Sequence, residues 1–256
     1  MPRVDNQGVS IHYRVEGDGP PLVLQHGFSD SSEIWYEPGT VAALKPKYRL
    51  VLIDARGHGQ SDKPHDPQSY TSEKFASDIV AVLDDLGIKT AAYWGYSRGG
   101  WIGFALARHA LDRIACFVIG GASGRVAAAY PAEPGKESPV FTALRRGLDE
   151  YVSYYGEELT PPLRERLLAN DAAALIACGP QRPIEGFSDV VRTIAVPTLL
   201  YAGTADPIHD AARQTASEIG GAQFVSVPSL SHLAAMSRSD LGLPHVEPFL
   251  AKALGR

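Results

Sequence analysis

Residues 94–101 read WGYSRGGW, one serine set among three glycines and bracketed by two tryptophans. Glycine costs backbone entropy wherever it is ordered, so a cluster this dense answers a conformational need. Within it, GYSRG (95–99) fits the pattern G-x-S-x-G. The apolar stretch TAAYWGYS (90–97) precedes the motif, and GGWIGFALARHA (99–110), apolar nearly all round, follows it. Strand, tight turn, then helix is the context that gives the pattern meaning. Ser97 is then held in a strained backbone region with its hydroxyl clear of the strand end. It stands at a helix N-terminus, where free N–H groups and the helix dipole favour a developing negative charge. Gly95 and Gly99 leave room where side chains would clash with the turn, and Gly100 lets the helix pack close to the strands. Ser123, in GGASG, misses the spacing and reads as loop.

A serine hydroxyl is a poor nucleophile at neutral pH and needs a base. His232, in PSLSHLAAM, follows the last apolar strand, the kind of loop on which open α/β sheets carry their sites. His209 competes, but it sits beside the candidate acid on one loop. His58 and His65, in or near RGHGQSDKPHD, read as structural, as do His12, His109 and His245 in the framework. An imidazole base needs a carboxylate to orient its far nitrogen. Asp206 in YAGTADPIHD, 26 residues before His232, is the candidate; Asp210 is a fallback that reads as a helix N-cap. Attack on a carbonyl also needs N–H donors for the oxyanion. One is the Arg98 N–H, directly after the serine. The other is the Phe28 N–H in HGF (26–28), with His26 and Gly27 shaping that loop. Taken alone, HGF reads equally well as a plain turn.

These residues need a frame. VSIHYRVEG (9–17) alternates apolar and polar positions, as a half-buried strand does. PLVLQHG (21–27), YRLVLIDARGHG (48–59), TAAYWGYS (90–97), IACFVIGG (114–121), VPTLLYAG (196–203) and AQFVSVP (222–228) are continuous apolar runs. Such runs suit strands covered on both faces of a mostly parallel sheet. Helical patterns fall between them at 72–86, 99–110, 211–220 and 239–254, with Pro244 and Pro248 restricting where the last begins. The expected fold is α/β: a mostly parallel central sheet of about eight strands, flanked by helices.

Residues 123–192 break the alternation. The opening RVAAAYPAEPGKESP reads as loop, and 140–156 and 161–179 read as helices. The expected division is a core of 1–122 and 193–256, with 123–192 as a small helical cap inserted after the sixth strand.

The whole chain has 256 residues, enough for one large domain with a proper core. Its formal charge of −5 argues against a nucleic-acid partner. No 18-residue apolar run exists, so no membrane span is expected. The start MPRVDNQGVS has no apolar leader region, and only two cysteines occur, Cys116 and Cys178. A reduced, cytoplasmic protein without a disulfide framework or metal site is the expectation.

LVLQHGF, LIDARGHGQSDKP, WGYSRGG, LLYAGTADP and SLSHL, in this order, resemble the recurring motifs of the α/β-hydrolase fold superfamily. The resemblance covers nearly the whole chain except 123–192, which occupies the position of a cap. It implies a catalytic triad of Ser97, Asp206 and His232, and a structural role for Asp54 beside the nucleophile turn. It implies hydrolysis of a carboxylic ester or lactone through an acyl-enzyme, with no cofactor. The same triad also serves C–C bond hydrolases and thioesterases, and some members of the fold are receptors with little turnover. Epoxide hydrolases and dehalogenases of this superfamily use aspartate as nucleophile, and Ser97 stands against both. Arg98 departs from the Met, Leu or Gln more usual after the nucleophile; its side chain either salt-bridges a neighbour or contacts substrate. Trp35, Trp101, Phe28, Tyr151, Tyr154 and Tyr155 are candidates to line an acyl pocket, with core or cap packing as the alternative. Arg145, Arg146, Arg164 and Arg166 keep a CoA thioester in view, against the plainer reading of a solvated helix face. The expected partner is a small, neutral molecule; the oligomeric state is left open.

Overall fold

The computed structural model describes residues 2–125, 138–179 and 186–255. Eight strands are present: β1 (Arg3–Asn6), β2 (Val9–Glu16), β3 (Pro21–Gln25), β4 (Arg49–Ile53), β5 (Ala91–Tyr96), β6 (Ile114–Gly120), β7 (Thr198–Gly203) and β8 (Gln223–Val227). They form one sheet in the order β1-β2-β4-β3-β5-β6-β7-β8. β1 and β2 pair antiparallel, as do β2 and β4, and every other pairing is parallel. β1, a short edge strand with alternating exposure, is the one that the apolar runs do not reveal. It pairs only with β2 and buries too little to leave a hydrophobic signature. The central β5 is buried at all six positions, as a strand covered on both faces must be.

The described helices are α1 (Thr40–Leu44), α2 (Ser72–Asp85), α3 (Arg98–His109), α4 (Pro139–Arg146), α5 (Leu148–Tyr155), α6 (Pro161–Leu168), α7 (Ala172–Cys178), α8 (Ser188–Val191), α9 (His209–Glu218), α10 (His232–Ser237) and α11 (Ser239–Ala253). Two of them cover one face of the sheet. α2 starts on Thr71, whose side chain accepts from the Lys74 N–H, and buries Phe75, Ile79, Val82 and Leu83. α3 lies against β5 and β6, close enough that a Cβ on Gly100 would stand 2.6 Å from the Ala122 Cβ. α1 and α11 pack Val41, Leu44, Val246, Phe249 and Leu250 into the apolar cluster on the other face. α11 runs through Pro244 and Pro248 rather than starting after them. Both prolines sit on its exposed side, where water can satisfy the carbonyls that lose their N–H partners.

Two helical patterns resolve into pairs. Gly147, at φ 133°, separates α4 from α5, and residues 169–171 separate α6 from α7. Helices α4 to α7 share an apolar cluster of Leu144, Tyr151, Val152, Leu163, Leu167 and Leu175. Ala177, Cys178, Phe187, Val190 and Val191 instead join the main core, so the end of the 123–192 stretch is anchored in the sheet's own packing. Most of the Pro- and Gly-rich run read as loop, 126–137, lies outside the described residues.

Candidate active site

The parallel strands bring the candidate residues to one edge of the sheet. Phe28 follows β3, Ser97 ends β5, Asp206 follows β7 and His232 follows β8, all beyond strand carboxyl ends. Ser97 has φ 53° and ψ −112°, a conformation disfavoured for a residue with a Cβ. Its N–H donates to the Gly120 carbonyl at 2.8 Å, which fixes it to β6. The flanking glycines are required sterically. A Cβ on Gly95 would stand 2.2 Å from the Gly99 carbonyl oxygen, and one on Gly99 would stand 2.2 Å from the Gln25 oxygen.

The Ser97 Oγ lies 2.8 Å from His232 Nε2, and His232 Nδ1 lies 2.7 Å from Asp206 Oδ2. Asp206 is buried, and its Oδ1 accepts from the Ile208 N–H at 2.9 Å, so both carboxylate oxygens are engaged. With the carboxylate on Nδ1, that nitrogen carries the proton and Nε2 is free to accept from the serine. Gly27 brings the loop after β3 against the serine: a Cβ there would be 3.4 Å from the Ser97 Cβ. Among the described residues, neither the Phe28 nor the Arg98 N–H is paired with an acceptor. His26 accepts from the Ala55 N–H and approaches the Gly27 carbonyl through Nδ1, which fixes the loop from below.

Other candidates take up different positions. His209 approaches Ser226 and Asp210, away from the serine. Asp210 is not an N-cap: α9 begins at His209, and Asp210 lies in its first turn. Ser123 approaches Thr215 and the Ala211 carbonyl. Asp54 is buried and accepts from the Ser32 and Gln60 N–H groups while His12 Nδ1 lies 2.9 Å away. Burial pushes its carboxyl up, but the His12 contact, the field of His26 and the two N–H donors outweigh that and hold it well below the usual carboxylate range.

A cavity of about 490 Å³ opens over Ser97 and His232. Its wall is mainly apolar, with Ile34, Trp101, Phe141, Leu163, Phe187 and Met236 among its residues, and Phe28 and Tyr155 also face it. Three aromatic expectations fail. Trp35 packs edge-on against Trp94 on the opposite face of the sheet, with ring centroids 5.1 Å apart. Tyr151 is buried beneath the wall, its hydroxyl 2.8 Å from Ser29 Oγ. Tyr154 points outward and is 52% exposed. Tyr151 and Tyr154 fall in a stretch read as helix, but neither side chain lines the cavity.

The Arg98 side chain is buried, and among the described residues no carboxylate pairs with it. Its guanidinium carbon lies 5.3 Å from the Phe28 ring centroid, 5.4 Å from that of Trp101 and 6.0 Å from that of Phe75. Its Nη2 makes long contacts, 3.4 Å each, to the Cys178 and Gly179 carbonyls at the end of α7. The expected salt bridge is replaced by ring faces and a helix C-terminus, both of which favour a cation.

The motif reading missed two further residues at the site. The Tyr96 hydroxyl donates to the His232 carbonyl at 2.6 Å, and the two rings lie 5.4 Å apart. Gly121, at φ 56°, leaves room for the histidine: a Cβ there would be 3.1 Å from His232 Cε1. Tyr96 sits inside the G-x-S-x-G pattern, at the variable position before the serine, so its type carries no signal there.

A family model for the alpha/beta hydrolase fold matches residues 20–175, well over half of the chain. The protein belongs to the alpha/beta hydrolase fold family. Within that family it is 26% identical, over 212 residues, to 3-oxoadipate enol-lactonase 2 of Acinetobacter baylyi, covering 79% of this chain and 78% of the relative. It is also 26% identical to a non-heme haloperoxidase of Rhodococcus erythropolis, covering 89% of this chain and 90% of the other. The crystal structure of an enol-lactonase from Burkholderia xenovorans superposes with a TM-score of 0.85 at 26% identity, covering 98% of this chain and all of that one. Among the described residues no helix is long and apolar enough to cross a membrane.

Proposed function

We propose that this alpha/beta hydrolase cleaves a carboxylic ester or lactone through an acyl-enzyme on Ser97. The observation that carries the reading is the unbroken chain from Asp206 Oδ2 to His232 Nδ1 to Ser97 Oγ, at 2.7 and 2.8 Å, on the floor of an apolar cavity. Ser97 Oγ attacks the substrate carbonyl carbon as its proton passes to His232 Nε2. The carbonyl π pair moves onto oxygen, and the N–H groups of Phe28 and Arg98 donate to that oxyanion. Collapse breaks the C–O bond to the alkoxy group, which takes the proton from His232. Water, losing a proton to the same imidazole, then attacks the acyl carbonyl; collapse breaks the bond to Ser97 Oγ, which takes that proton back from His232, and the acid is released. Asp206 keeps the imidazole in the required tautomer. Each oxyanion donor contributes about 2.7–4 kcal/mol.

The apolar wall suits a substrate with a hydrocarbon body, and a volume of about 490 Å³ fits a small molecule. The enol-lactonase relatives make a lactone the first substrate to try. Purified protein hydrolyses p-nitrophenyl acetate or butyrate, and Ser97→Ala reduces this to background. Undiminished turnover by Ser97→Ala contradicts the assignment. A panel that varies ester chain length and lactone ring size, with a vinylogous diketone alongside, separates esterase, lactonase and C–C hydrolase activity.

A further inference from the structure

Phe28 carries one proposed oxyanion donor, and the two residues after it are tied to the insertion rather than to the sheet. Arg166 of α6 donates from Nε to Asp30 Oδ1 at 2.7 Å, and its Nη1 pairs with Glu37. Asn170, in the break between α6 and α7, donates from Nδ2 to the Ser29 carbonyl at 2.7 Å. Tyr151 of α5 meets Ser29 Oγ from the same side. Arg166 reads from sequence as either a CoA-thioester contact or part of a solvated helix face, yet its side chain is only 15% exposed and the Asp30 carboxylate only 6%. Tyr151 belongs to the insertion's own leucine-rich cluster, and Asn170 Nδ2 also donates to the Arg166 and Leu167 carbonyls at the end of α6, so these residues join the insertion's core to the loop after β3.

What they hold is a strained backbone. Ser29 has φ 60°, in the left-handed region that favours glycine. A residue of this kind costs about 1–3 kcal/mol and persists only where its surroundings over-determine it. Asp30 Oδ1 also accepts from the Ser31 N–H at 2.8 Å, so one carboxylate oxygen joins the loop backbone to Arg166. Orientation of the Phe28 N–H depends on this backbone, and a misplacement of about 1 Å at such a donor costs on the order of 100-fold in rate.

We propose that Arg166 and Asn170 are positioning residues. They act through Asp30 and the Ser29 carbonyl to hold the loop that aims the Phe28 N–H at the oxyanion. The inference rests on the proposed hydrolase reading, since it assigns a purpose to Phe28. The insertion is then the outer half of the oxyanion site as well as a wall of the cavity. Arg98, which carries the second donor, touches the insertion too, through the Cys178 and Gly179 carbonyls.

The test compares the wild type with Arg166→Met, Arg166→Lys, Asn170→Ala and, as a same-charge control on α6, the exposed Arg164→Met. For each, kcat and KM on p-nitrophenyl butyrate, affinity for a trifluoromethyl ketone and Tm are measured. Arg166→Met and Asn170→Ala lower kcat by about 10–100-fold, change KM by less than about 3-fold and weaken the ketone by a factor similar to that in kcat. Arg166→Lys recovers part of the loss, and Arg164→Met behaves as the wild type. Unchanged kcat and ketone affinity in folded Asn170→Ala and Arg166→Lys, with only Tm lowered, overturn the inference, and so does a loss confined to KM. Wild-type turnover that Ser97→Ala does not diminish is a different result: it removes the hydrolase reading itself, and this inference with it.

Discussion

Ser97 keeps a conformation that few serines adopt because its neighbours have no side chains to obstruct it. The contact that decides this is Gly99 against the Gln25 carbonyl, at 2.2 Å for an added Cβ, with the His26 oxygen at 2.8 Å. Both are backbone atoms and cannot swing aside as a side chain can. Gly99→Ala therefore pushes on the strand end that leads into Phe28. Overpacking of this sort costs about 1–3 kcal/mol, and the displaced loop lowers ester hydrolysis at least about tenfold. Gly220→Ala, where an added Cβ meets nothing within 4 Å, leaves both unchanged. Thermal unfolding and initial rates on the two variants check this; equal behaviour contradicts the steric account. The glycine pattern was legible because a turn of this kind restricts residue type locally. The Arg98 side chain was not: Trp101 lies three residues on along α3, but its other ring partners come from positions 28 and 75, which no local pattern brings to it.

Among the elements, the loop after β4 stabilises the site from beneath. It carries Asp54, whose partners are His12 on β2 and the Ser32 and Gln60 N–H groups. It also carries His58, whose Nδ1 lies 2.9 Å from the Arg56 carbonyl and whose ring lies 5.4 Å from that of His26. Burial, and then the field of His26, push the His58 imidazole down to about 3. The unfolded chain takes up a proton near the ordinary value of about 6.5, and the folded protein does not. Folding stability consequently declines as pH falls from about 6.5 toward about 3, and is fully present above that window. Asp54, held low, adds stability that is present above its unfolded value of about 4 and is lost as pH falls through its folded value. Urea unfolding at a series of pH values measures the first effect. Between about pH 6 and 4 the slope of stability against pH is smaller by nearly one proton in His58→Asn than in the wild type. An unchanged slope contradicts a neutral buried His58. Apart from β1 and the run 48–59, which overshoots β4, the strands were legible to within about two residues at each end, since double-sided burial leaves continuous apolar runs. The helix breaks at Gly147 and at residues 169–171 were less so, because the apolar spacing continues across them. Arg166 gives no signal for a related reason: its carboxylate partners, at positions 30 and 37, lie 136 and 129 residues away in sequence.

At the scale of the molecule, the sheet order explains why residues 28, 97, 206 and 232 meet. Strands β3, β5, β6, β7 and β8 run parallel as neighbours, so the loops at their carboxyl ends form one rim. Described residues of the stretch between β6 and β7, Phe141, Tyr155, Leu163 and Phe187 among them, supply part of the cavity wall above that rim. The fold class could be read from motif order, and the sheet brings the four candidates read with it, Phe28, Ser97, Asp206 and His232, to one rim. The cavity wall could be read only in part: Phe28, Trp101 and Tyr155 line it, whereas Trp35 packs against Trp94 in the core of the other face, Tyr151 lies buried behind Ser29 and Tyr154 points outward. Everything functional in this account depends on a covalent intermediate at Ser97. Rapid mixing with excess p-nitrophenyl butyrate, followed by acid quench and peptide mass analysis, observes it directly. The account predicts a burst of nitrophenolate approaching one equivalent and a butyryl group on the peptide bearing Ser97, with both absent in Ser97→Ala. A butyryl group on another residue, or normal turnover by Ser97→Ala, would contradict it.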